Sequence, residues 1–217
     1  MDDKDKIRSH KDKIRIFLIL YYFSENHSDS DYPNRKKIFK SEVRIQKIDF
    51  LLRNPDYFAH ELLNIAIKDN SKKSEIKLII KDIFDKGEPI IRRLEMERFF
   101  FGAYEDIDDV IGFLKSIDFI DFSSKKSTDL KTIEKHYYIT ERAIRKMDNT
   151  ISDLSSLQWY ILRCELIKKY FGDLSGTQLK VSQYQIEEYR ETSYKNYIGS
   201  IKNLVIDEFK KLYNEQL

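Results

Sequence analysis

Glycine is scarce in this chain, six in 217 residues, and no pair or triplet of glycines has the spacing of a dinucleotide turn or a Walker phosphate loop. Nucleotide hydrolysis by the chain itself is therefore not expected. A single cysteine, Cys164, excludes an intramolecular disulfide and fits a reducing compartment. It falls within an apolar helical stripe, where a thiol stays protonated rather than becoming a nucleophile. The four histidines, His10, His27, His60 and His136, stand apart from one another, and none has further ligands at zinc-site spacing. Neither a metal nor a cofactor is expected. Long apolar runs are also missing: the longest, Ile16 to Phe23, is far below the roughly 18 residues that cross a bilayer. Lys and Arg precede it as in a secretory leader, but acids are mixed among them and Ser24-Glu25-Asn26 lacks the small-residue cleavage pattern, so the expected location is the cytoplasm. There is no excess of charge either. With 39 Lys and Arg against 37 Asp and Glu, any nucleic-acid binding must come from a local patch.

What is present is a globular composition with a densely charged surface, 41% hydrophobic and 35% charged. Residues 6–24 read as a helix whose second half is apolar on nearly every side, which places Phe17, Leu18, Leu20 and Tyr21 between other elements. Glu25 to Asp31 reads as a surface loop. Ser41 opens a helix in which Val43, Ile48, Leu51 and Leu52 point inward while Arg44, Lys47 and Asp49 do not. Asn54-Pro55 starts another, reaching Ile67. After a polar break from Asp69 to Lys73, Ile76, Ile79, Ile80 and Ile83 form a stripe that ends at Gly87, a suitable left-handed stop.

The segment from Met96 to Met147 has the layout of a winged helix. Ile107, Val110, Ile111, Leu114 and Ile117 line one face of a helix. Strand-like residues follow from Phe119, then a polar loop from Ser123 to Asp129, then His136-Tyr137-Tyr138-Ile139 and a helix opened by Thr140. Beyond it, Leu154, Leu157, Ile161, Cys164, Ile167 and Phe171 recur near every 3.5 residues. Gly172 to Gly176 interrupts them, and a last helical region ends near Tyr213. The expected fold is mainly α with a small β-wing: an N-terminal helical region (1–87), a winged-helix region (88–150) and a C-terminal helical region (151–217), together one compact unit.

Charge then qualifies the obvious role of a winged helix. Glu105, Asp106, Asp108 and Asp109 fall at the front of the would-be recognition helix, the end that approaches bases and phosphates in helix-turn-helix docking. Four carboxylates there repel a phosphate backbone. They favour the positive end of the helix dipole by roughly 0.3 to 1 kcal/mol each without any ligand, and a divalent-ion or general acid-base role for Asp106 and Asp109 is the weaker reading. Lys125, Lys126, Lys131 and Lys135 cluster in the wing, where they could touch phosphate without reading sequence. A solvated hairpin tip would carry the same lysines.

Three stretches together resemble a particular family. They are Glu97-Arg98-Phe99-Phe100-Phe101-Gly102-Ala103-Tyr104-Glu105, with Ala103-Tyr104 where that family has Pro-Trp; Arg44 to Pro55; and Phe171-Gly172-Asp173-Leu174-Ser175-Gly176-Thr177-Gln178-Leu179-Lys180. Taken in chain order, Arg44 to Pro55 first and Phe171 to Lys180 last, they look like the signatures of the middle components of bacterial three-component ABC-ATPase defence systems of the Lamassu type. The resemblance implies a non-catalytic adaptor between an SMC-like or Rad50-like ATPase and an effector, often a nuclease, acting against phage or plasmid DNA. The expected partner surface is then Glu105, Asp106, Asp109 and Arg53, with contact to double-stranded DNA confined to the wing. A stand-alone winged-helix transcription regulator is the alternative.

Overall fold

The structure, a computed structural model, describes residues 3–100, 102–103, 105–126 and 132–217, the side chains of 3–8, 126, 132 and 133 excepted. It is mainly helical with a small antiparallel sheet, and its contacts divide the chain into two compact units. The first comprises Met1–Asp49 and Asp106–Gly176, the second Phe50–Glu105 and Thr177–Leu217. Each unit draws on all three of the consecutive regions expected from the sequence. Residues 96–105 group with the second unit, and 106–147 with the first.

The first unit is built around α1 (Asp3–Phe23), which packs against β2 (Arg35–Lys40), α6 (Asp108–Ser116), β6 (Thr132–Thr140) and α8 (Gln158–Phe171). Its apolar second half explains that position: Ile16 to Leu20 and Phe23 are all buried, and Phe17 meets the Phe119 ring at 5.1 Å. A short β1 (Glu25–Asn26) and a longer β5 (Ile120–Lys126) complete a sheet of order β1-β2-β6-β5, with every pair antiparallel. The loop expected from Glu25 thus begins as an edge strand. Period-two alternation puts Phe39, Tyr137, Ile139 and Ile120 on the buried face. Thr140 ends β6 and caps α7 (Glu141–Lys146): its Oγ1 accepts from the Ala143 amide at 3.2 Å and its hydroxyl donates to the Asp118 carbonyl at 2.6 Å.

The helix α2 (Glu42–Arg53) starts in this unit, and its last turn, from Phe50, belongs to the second. Ile48, Leu51 and Leu52 are buried as expected, but Val43 is 43% exposed while Lys47 and Asp49 are buried. For Asp49 the reason is a distant partner: the buried Arg15 guanidinium donates to its carboxylate, so that charge is paired within the core rather than solvated. In the same way Leu154, expected in the α8 stripe, is exposed, whereas Ile161, Cys164, Ile167 and Phe171 form the buried line.

In the second unit α3 (Pro55–Lys68) has Pro at its first turn, as the Asn54-Pro55 pair suggests, although the Asn54 amide bonds back to the Phe50 carbonyl at 2.9 Å rather than capping forward. Phe50, Tyr57 and Tyr189 stack edge to face at 4.9 and 5.1 Å in its core. The helix α4 (Lys73–Asp85) buries Ile76, Ile80 and Ile83, with Ile79 half-buried, and its chain turns at Gly87, φ +65°, into α5 (Glu88–Ile91). Two-residue strands β3 (Arg98–Phe99) and β4 (Gly102–Ala103) form a hairpin. The unit is completed by α9 (Gly176–Gln185), which starts on the last residue of the first unit, α10 (Glu187–Glu191) and α11 (Lys202–Tyr213). The buried Asp56 carboxylate accepts from Ser200 Oγ at 2.7 Å and from the Ile201 amide at 2.9 Å, where α11 begins.

Candidate interaction surface

The front of α6 carries Asp106, Asp108 and Asp109, all exposed. Asp106 has a local task, since its carboxylate accepts the Asp108 amide at 2.9 Å and satisfies one of the unpaired donors at the helix start. Asp109, in the first turn of α6, faces the positive end of the helix dipole.

Opposite α6 stands the β5–β6 hairpin. Between them lies a groove of about 410 Å³ lined by Asp108, Ile111, Gly112, Lys115, Phe122, Ser124, Lys135 and Tyr137. Of the four wing lysines, Lys125 is exposed on β5, paired in register with Glu134. Lys135 is committed elsewhere. Its ammonium donates to Glu42 and stands 3.8 Å from Asp108, and although burial works to lower its pKa, the Glu42 carboxylate raises it above the ordinary lysine value. Tyr137 donates to the same Glu42 at 3.0 Å, with burial pushing its phenol up. Lys131 and the Lys126 side chain lie outside the described residues. Lys115, near the end of α6, faces Asp121 at 3.7 Å.

The proposed partner residues separate. Asp106 and Asp109 belong to the first unit, Glu105 and Arg53 to the second. Arg53 is only 3% exposed, and it donates to the Leu94 and Glu95 carbonyls at 3.2 and 2.5 Å and pairs with Glu105 at 2.7 Å. It ties α2 to the chain entering β3, and so is spent inside its own unit instead of facing a partner.

Two residues that local patterning gave no reason to single out shape this surface. Glu42 holds Lys135 and Tyr137, and Arg35 lies between the Tyr32 and Tyr138 rings at 3.8 and 4.3 Å while bonding Asp121 at 2.8 Å. Burial alone would raise the Asp121 pKa, but the Arg35 hydrogen bond holds it below the ordinary carboxylate range. Apart from Arg35 with its near neighbour Tyr32, each of these pairs joins residues more than eighty positions apart, so no spacing rule reveals it.

The remaining chemistry-bearing side chains are dispersed. Cys164 is fully buried, and that burial pushes its thiol up, away from thiolate character. His60 meets Glu208 at 2.8 Å, His136 meets Glu134 at 2.9 Å, and His27 stands 3.9 Å from Asp29. Among the described residues no three of His, Cys, Asp or Glu gather around a point where a metal ion could sit, and no helix is long and apolar enough to cross a membrane. Two of the family-like stretches do meet, at Arg44: its guanidinium donates to the Gly172 carbonyl, and Gly176 lies against its backbone. Compared with family models, with curated proteins and with solved structures, the chain finds no match in any of the three.

Proposed function

We propose that the protein is a non-catalytic adaptor of a DNA-directed defence complex, of the kind that joins an SMC-like or Rad50-like ATPase to an effector nuclease, and that its first unit is a winged helix. The observation that carries this reading is the order of elements. Setting aside the two-residue β1 at the sheet edge and the helices α7 and α8 that follow, the first unit runs in chain order α1, β2, α2, α6, β5, β6, and its sheet places the first of these strands beside the last, β2-β6-β5. That is the succession of a helix, a strand, two further helices and a hairpin wing, with the second unit's residues 50–105 inserted between the second helix and the third.

On this reading α6 takes the recognition position with an acidic front, while the wing is left with Lys125 as its one exposed described lysine. A docking role for a protein partner suits that charge better than sequence-selective DNA reading. The partner surface narrows to Asp106 and Asp109.

Co-expression with the products of its neighbouring genes, which the proposal expects to include an ATPase and an effector, tests it. The wild-type chain is expected to retain both partners through purification, and an Asp106→Asn, Asp109→Lys variant to lose at least one. Asparagine keeps the oxygen that accepts the Asp108 amide, so α6 still starts normally. A monodisperse chain that captures neither partner would overturn the adaptor reading, and salt-sensitive, sequence-selective duplex binding lost in Lys125→Glu would put a stand-alone regulator in its place.

A further inference from the structure

Viewed down its axis, α4 sorts its charges. At about 100° per residue, Lys73, Lys77 and Lys81 lie along one flank of the buried line Ile76, Ile80 and Ile83. Glu75 and Asp82 fall on the opposite flank, and Asp85 points away from the core. Asp82 is further occupied by Lys86 at 2.8 Å. Like charges one turn apart on a helix repel, so three lysines at i, i+4 and i+8 destabilise α4 unless something neutralises them.

Glu215 does so for two of them. The helix α11 ends at Asn214, whose φ of +55° is the left-handed stop that turns the chain back. The next residue then lands on α4: one Glu215 oxygen accepts from Lys77, and the other from Lys81 at 2.6 Å. Tyr213 steadies the approach, its hydroxyl donating to the Lys73 carbonyl at 2.9 Å while its ring lies 5.6 Å from the Lys73 ammonium and 5.8 Å from that of Lys77. A single carboxylate with one lysine on each oxygen has the arrangement of a phosphate bound by two cations. The lysines also advance by about 6 Å per step of four residues, close to the distance between successive phosphates along a nucleic-acid strand.

We propose that the flank of α4 bearing Lys73, Lys77 and Lys81 is a contact surface for the sugar-phosphate backbone of a nucleic acid, and that Glu215 covers it as a tethered competitor. The site lies wholly in the second unit and depends neither on the wing nor on the acidic front of α6, so it goes beyond the adaptor reading and stands or falls separately from it. A phosphate chain presents one negative charge at every successive backbone unit, whereas an acidic protein would match the row only with carboxylates repeated four residues apart on a helix, so a nucleic acid is the occupant that charge complementarity favours. Binding by such a surface is salt-dependent and indifferent to sequence.

The test is fluorescence anisotropy of the full chain with a labelled duplex of arbitrary sequence over a range of salt concentrations. Removing the competitor with Glu215→Gln is expected to tighten binding; if the carboxylate covers the flank nine-tenths of the time, the gain is about tenfold. The double variant Lys77→Gln, Lys81→Gln is expected to weaken binding and to flatten the slope of log affinity against log salt by about 2, at roughly 0.9 per lost phosphate contact. Lys125→Glu, in the wing, is expected to leave the gain from Glu215→Gln in place. A gain cannot come from misfolding, and an affinity for duplex that is unchanged or lower in a Glu215→Gln chain whose circular dichroism and melting match the wild type would overturn the proposal. An equal or larger gain towards poly-glutamate or towards vesicles of anionic lipid would also overturn it, assigning the flank to a different class of partner.

Discussion

A methyl group is enough to probe the junction where the turn from Gly172 to Gly176 meets α2. A Cβ on Gly176 would lie 2.8 Å from the Arg44 nitrogen and 3.1 Å from its Cα, both backbone atoms that cannot rotate aside. Gly176→Ala is therefore expected to destabilise the chain by about 1 to 3 kcal/mol through overpacking, even though alanine is the better helix residue by about 1 kcal/mol at most positions. Urea denaturation should show a lower midpoint at unchanged slope, and an unchanged or higher midpoint would mean that the two backbones do not approach so closely. At this scale sequence reading served apolar residues better than charged ones, although Val43 and Leu154, at the starts of their stripes, are exposed. Ile48, Leu51 and Leu52 announce their burial through spacing, but Lys47 and Asp49, on the same helix, carry charge and so read as solvent-facing. What reverses Asp49 is the buried Arg15, thirty-four positions before it, and no local period contains that pair.

The helix α4 shows the same limit at the level of elements. Its isoleucine stripe and its stop at Gly87 were legible, as were the capping of α7 by Thr140 and the hairpin that precedes it, because each rests on residues within one or two turns. The edge strand at Glu25 was not legible, since two polar residues form a strand only when β2 is beside them. Nor was the contact between α4 and Glu215, 134 positions from Lys81. That contact makes a pH prediction. Hydrogen bonds from Lys77 and then Lys81 bring the Glu215 pKa from an ordinary 4.5 down to about 2. A carboxylate whose folded pKa is depressed contributes fully above its unfolded value and loses that contribution as pH falls through the folded one. The Glu215 contact should accordingly persist in mild acid and open only near pH 2. Carbon-detected NMR titration of the Glu215 carboxyl is expected to give a midpoint near 2 in the wild-type chain, returning towards 4.5 in Lys77→Gln, Lys81→Gln. A wild-type midpoint already near 4.5 would show that the carboxylate does not rest on these lysines in solution.

At the scale of the whole molecule, a formal charge of +2 gives no long-range pull towards DNA, so whatever contact occurs is decided by local geometry. This is why the interleaving of the chain matters. The sequence placed a helix, a hairpin and a following helix correctly within residues 96–147, but the strand that pairs with β6 and the helices that precede it in the first unit come from residues 3–49, beyond the reach of a segment-by-segment reading. Under the proposed winged arrangement α6 occupies the place that faces a duplex, and its carboxylates are what keeps phosphate away. Asp106→Asn, Asp109→Lys then has an effect on DNA separate from its effect on protein partners. It changes the local charge by three units and sets a cation at the front of the helix while preserving the helix start. Duplex affinity is expected to rise, and the dependence of log affinity on log salt to steepen by about 0.9, the signature of one added phosphate contact. Measured in the background of Lys77→Gln, Lys81→Gln, the gain cannot arise at α4. A variant that binds no more tightly, with its salt slope unchanged, would mean that α6 does not present its front to a duplex, and the winged-helix reading of the first unit would lose its functional content even if the order of strands stands.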